Sequence, residues 1–77
     1  MTTESVWVKA FVVMIDGTQI EVKSEIVEAE VGQAPDSFAQ SIQALMEAHK
    51  TIWFEDAKGL QRIINVNSIV EIVVRRA

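Results

Sequence analysis

Along this chain the hydrophobic positions change period twice, and those changes mark out two strands, one helix and then three more strands. Val6 to Ile15 is dense in β-branched and aromatic residues, and it ends at Asp16-Gly17, a dipeptide favoured where a hairpin turn needs positive φ. A two-residue turn there predicts that Ile15 faces Thr18, Val13 faces Ile20, Phe11 faces Val22, Lys9 faces Ser24 and Trp7 faces Ile26. That face is the expected core face. On the other side Met14, Val12, Ala10, Val8 and Val6 face Gln19, Glu21, Lys23, Glu25 and Val27. The first strand is therefore apolar on both sides and its partner on one. Such a strand lies centrally or in a sheet that curls on itself, or else its surplus row, Val6, Val8, Val12 and Met14, is an interface.

Alternation in the second strand changes parity near Ile26-Val27, which a bulge or bend there would explain. Gly32 to Pro35 breaks the strand, and Pro35 suits the first turn of a helix, where its missing N–H costs nothing. Asp36 or Ser37 is the expected cap, with Ser37 and Gln40 at capping-box spacing. Phe38, Ile42, Leu45, Met46 and His49 then fall on one helical face, and the helix ends near Lys50. Thr51 to Asp56 reads as a third strand and Ala57-Lys58-Gly59 as a turn. In the hairpin that follows, Asp56 faces Leu60, Phe54 faces Arg62 and Ile52 faces Ile64, leaving Trp53 and Ile63 together on the opposite side. Asn67-Ser68 interrupts the pattern before a last strand, Ile69 to Val74.

The expected fold is α+β: a strongly bent antiparallel sheet packed on one helix, in the order ββαβββ. Its expected core is Phe11, Val13, Ile20, Val22, Phe38, Ile42, Leu45, Ile52, Phe54, Ile64 and Val66. With 77 residues the chain, 1–77, is expected to form one domain with one core. So short a chain buries only about 60% of its unfolded surface and often needs a disulfide, a metal or a partner subunit in addition. There is no cysteine and a single histidine, so a disulfide framework is excluded and a zinc site is poorly served. Self-association rises accordingly.

Apolar residues make up 49% and charged residues 23%, a balance that folds rather than stays disordered. The run from Val6 to Ile15 is too short and too interrupted for a membrane span, and Met1 to Ser5 carries no basic residue of a signal peptide, so a cytoplasmic location is expected. A net charge of −4 opposes general attraction to phosphate backbones.

Nucleophilic catalysis needs a nucleophile, a base and a group to orient them. Here His49 stands alone and reads as a partly buried helix-terminal residue near the last carbonyls. Glu21, Glu25, Glu28 and Glu30 occupy positions that read as a solvated strand face, and the three glycines sit singly at turns rather than in a phosphate-binding loop. The expectation is no enzyme, no cofactor and no metal.

From Trp53-Phe54 through Gly59, and on through Ile63-Ile64-Asn65-Val66-Asn67-Ser68-Ile69-Val70-Glu71-Ile72, the chain resembles the terminal strands of small uncharacterised bacterial and phage proteins, in which strand, Asn-containing corner and last strand follow one another. The resemblance spans about twenty residues, implies a phage- or prophage-related origin, and implies no activity. A similarity to the strand-corner-strand ending of Sm-like barrels also exists, but the central helix departs from that fold. The expected function is a non-enzymatic protein-binding module or small regulator, a homo-oligomer that meets itself or another protein through Val6, Val8, Val12 and Met14. The alternative is a nucleic-acid-binding module that uses an open sheet face with Trp53, Lys58, Arg62, Arg75 and Arg76.

Overall fold

The computed structural model describes residues 2–77. Its elements are β1 (Thr3–Met14), β2 (Gln19–Glu30), α1 (Ala34–Ala48), β3 (Thr51–Glu55), β4 (Gln61–Asn65), a 3₁₀ turn (Val66–Ser68) and β5 (Ile69–Arg76). The order ββαβββ is the expected one. The single bent sheet is not. β2, β1 and β5 form a three-stranded antiparallel sheet in that spatial order, with β1 in the middle, and β3 and β4 form a separate two-stranded hairpin. One isolated bridge, Val22 to Asp56, joins the two. The strands divide because the hairpin meets β2 only at its turn, so no continuous ladder curves round from one sheet into the other.

The first hairpin closes on a three-residue loop rather than a two-residue turn. Met14 N–H donates to Thr18 O at 2.8 Å, leaving Ile15, Asp16 and Gly17 in the loop. Gly17 takes φ +88°, the left-handed conformation such a loop requires at its last position. Asp16 Oδ1 accepts from Thr18 N–H at 2.9 Å, and this bond holds its carboxyl below the usual aspartate range.

The longer loop moves the pairing by one residue, so that Val12 faces Ile20 and Ala10 faces Val22. A bulge at Lys23 and Ser24, opposite Lys9, restores the expected register, and beyond it Val8 faces Glu25, Trp7 faces Ile26 and Val6 faces Val27. The bulge thus lies three residues before the position the parity change suggested.

α1 covers the face of the three-stranded sheet that carries Val8, Ala10 and Val12. Val8 and Val12 are 0% and 1% exposed, and with Ala10, Ala34 and Ile64 they are the buried apolar residues among those described. Phe38, Ile42 and Met46 of the helix are half-buried against this face, whereas Leu45 is 52% exposed and His49 is exposed. The helix starts at Ala34, one residue before Pro35, with Gln33 at its N-cap and no side-chain cap, so neither Asp36 nor Ser37 caps it. Phe11 and Val13, expected in the core, are half-buried on the opposite side of β1.

Candidate contact surfaces

The row Val6, Val8, Val12 and Met14, expected as an interface, is a core row. Val8 and Val12 lie buried beneath α1, while Val6 and Met14 are half-buried nearer the strand ends. The exposed row of β1 is the other one. Trp7 faces Ile26 across β1 and β2, and Phe11 faces Val73 across β1 and β5. Trp7 is 54% exposed, and Ile26 and Val73 are exposed too. These four side chains, with half-buried Val13, give the three-stranded sheet an apolar open face. The guanidinium of Arg75 sits 5.6 Å from the centre of the Phe11 ring, a cation–π distance. Lys9 and Arg75 face each other across the same strand pair, two like charges on one face.

A second apolar surface lies where the helix meets the hairpin. A groove of about 360 Å³ runs between them, lined among others by Phe38, Ile42, Leu45, Ile52 and Trp53. Trp53, 72% exposed, pairs with exposed Ile63 on the outer face of the hairpin, as its sequence register predicts.

Asp56 organises the hairpin turn. It is 3% exposed, yet its oxygens accept from Lys58 N–H and Leu60 N–H at 2.9 Å each and from Arg62 Nε at 2.8 Å. The Arg62 bond, followed by the Leu60 backbone bond, holds its carboxyl below the usual range. The turn in turn docks on β2 through Ala57 N–H to Glu21 O at 2.9 Å and through Lys23 to Glu55 at 3.1 Å. Glu4 plays a similar part at the far end of β1. Its Oε1 accepts from Gly32 N–H at 2.9 Å and from Arg76 Nη2 at 2.6 Å, and the two bonds, Gly32 first, lower its pKa.

The five residues expected to touch nucleic acid are not gathered on one surface. Trp53 and Arg62 occupy opposite faces of the hairpin, Lys58 is in its turn, and Arg75 and Arg76 are on β5 in the other sheet. Arg62 is paired with Asp56 and Arg76 with Glu4, so two of the four cations already have a carboxylate partner. Sequence reasoning missed Glu4 as an anchor, whereas the position of Asp56 at the hairpin end points to a turn-building aspartate, and only its bond to Arg62 lay beyond that reading. For Asp56 a signal was present, an aspartate two and four residues before backbone N–H groups that a turn leaves free.

Among the described residues no cluster of three or more His, Asp or Glu side chains is placed to hold a metal ion, and no helix is long and apolar enough to cross a membrane. No protein-family model, no curated protein and no solved structure matches this chain.

Proposed function

We propose that this chain is a non-enzymatic protein-binding module, a small self-associating regulator of the cytosol, which meets a different protein through the open face of the three-stranded sheet. One observation carries the reading: Trp7, Phe11, Ile26 and Val73 stand on a sheet face that no helix or strand among the described residues covers. On this face Lys9 and Arg75 stand between the Trp7–Ile26 and Phe11–Val73 pairs, and Glu21 and Glu71 flank Phe11 and Val13, so the apolar side chains are interleaved with charged ones, a mixture that supports a protein-binding surface. The aromatic pair supplies large rigid contact area at its middle.

The test is affinity capture from host lysate, run with and without nuclease treatment, with wild-type protein beside a Trp7→Ser, Phe11→Ser variant. The expected result is a discrete protein retained by the wild type and lost from the variant, with both baits showing the same thermal transition. Retention by both baits would move the contact off this face. Captured material that disappears after nuclease treatment would replace the reading with nucleic-acid binding.

A further inference from the structure

We propose that a second copy of this chain pairs antiparallel with the free edge of β5, about a two-fold axis at Val73, to make one six-stranded sheet. This rests on the self-association in the reading above and supplies its geometry.

The first support is the direction of the backbone groups. Ala77 N–H donates to Trp7 O and Ile15 N–H to Ser68 O, so the odd-numbered residues of β1 bond towards β5. In the antiparallel ladder the hydrogen-bonded pairs are then Lys9 with Arg75, Phe11 with Val73 and Val13 with Glu71. The N–H and C=O of Ile72 and Val74 point the other way, to the outer edge, and among the described residues no hydrogen bond reaches them. The opposite edge of the sheet differs, because β2 receives the hairpin turn at Glu21 and Val22. An unpaired edge of this kind is a template for another strand.

The second support is self-complementarity. With Val73 opposite its own copy, Ile72 and Val74 of the two chains become the hydrogen-bonded pairs that their outward groups require. Glu71 then falls opposite Arg75 of the other copy, twice, in non-hydrogen-bonded pairs where side chains approach most closely. Registers two residues away in either direction keep the bonding pattern but lose this charge match. The match also answers a local imbalance, since Lys9 and Arg75 face each other and neither has an ion-pair partner among the described residues.

The third support is surface area. The chain exposes 5325 Å², against about 4,700 Å² expected for a folded monomer of its mass. That surplus is of the order that one partner contributes to a standard interface, about 800 Å².

Sedimentation velocity over a concentration series tests the pairing with Glu71→Arg, Arg75→Glu, the double variant carrying both, and an equimolar mixture of the two single variants. The substitutions lie on an exposed face, and thermal melts monitored by circular dichroism check that each chain folds. The expected result is a wild-type dimer, at least about tenfold weaker association in each single variant, and recovery to within about threefold in the double variant and in the mixture. A wild type that stays monomeric throughout would overturn both self-association and this pairing. Self-association that persists undiminished in the single variants would overturn the β5 pairing alone. Loss in the single variants without recovery in the mixture or the double variant would overturn the register.

Discussion

Glu4 and Arg76, at the two ends of the chain, meet at 2.6 Å where β1 and β5 lie side by side, and the same Glu4 oxygen takes the N–H of Gly32 ahead of the helix. Gly32 can offer that N–H because it adopts φ +84°. One carboxylate therefore ties two strand ends and the turn that launches α1.

The depressed pKa of Glu4 makes this tie pH-dependent. A group whose folded pKa lies below its unfolded value contributes fully above the unfolded value, here near 4.5, and loses that contribution as pH falls through the folded pKa. Glu4→Gln is expected to lower the Tm at neutral pH by about 2–5 °C. The difference from wild type should close at pH values well below 4.5, where the wild-type carboxyl is itself protonated. Melts at several pH values check this, and a gap that stays constant into acid would mean that Glu4 acts through shape rather than charge.

Asp56 predicts a larger and more local effect. Asp56→Asn keeps an oxygen for the Lys58 and Leu60 N–H groups but loses the charge that holds Arg62, whereas Asp56→Ala loses every bond. The expected fall in Tm is about 10 °C for alanine and a smaller fall for asparagine. Because the turn is also the hairpin's dock on β2, trypsin should cut faster after Lys58 and Arg62 in the alanine variant. Mass spectrometry of a timed digest measures it, with equal cleavage rates as the contrary result.

The sequence showed the element order, the β3–β4 register and the apolar face of β2, because each is local. Phe54 opposite Arg62 and Trp53 opposite Ile63 follow from turn position alone. The buried row of β1 was not legible, since both of its rows are apolar and only the register can choose between them. Ile20 and Val22 mark the core side of β2, and a two-residue turn joins them to Val13 and Phe11. The three-residue loop joins them instead to Val12 and Ala10, which exchanges core for surface along the whole strand. Asp-Gly serves both loops, so the dipeptide could not decide. The Glu4 tie was invisible for another reason: it joins residues 28 and 72 positions apart.

The exchange of rows gives opposite expectations for neighbouring substitutions. Val8→Ala and Val12→Ala each remove two methyl groups from a closed core and are expected to cost about 2–3 kcal/mol. A chain carrying both Val8→Glu and Val12→Glu should not fold, because two carboxylates would lie beneath α1 without partners. Chemical denaturation of the alanine variants and circular dichroism of the glutamate pair provide the measurement. A folded glutamate pair would return this row to the surface.

Trp7 can report which part of the molecule a partner covers. It is half-exposed on the open face, and the other tryptophan, Trp53, is exposed on the hairpin. A Trp53→Phe variant therefore leaves Trp7 as the single indole without opening the core. Pairing at the β5 edge adds a strand beside Arg75 and Val73, while Trp7 sits on β1 opposite Ile26, on the β2 side of the patch. Raising the concentration of this variant through its self-association range should thus leave the emission maximum and acrylamide quenching of Trp7 nearly constant. Adding a protein captured through the open face should shift the emission to the blue and protect the ring from quencher, since an anchor at the centre of an interface loses its water. If concentration alone produced the blue shift, the copies would be stacking face to face. The open face would then be the dimer surface, and β5 would keep its free edge.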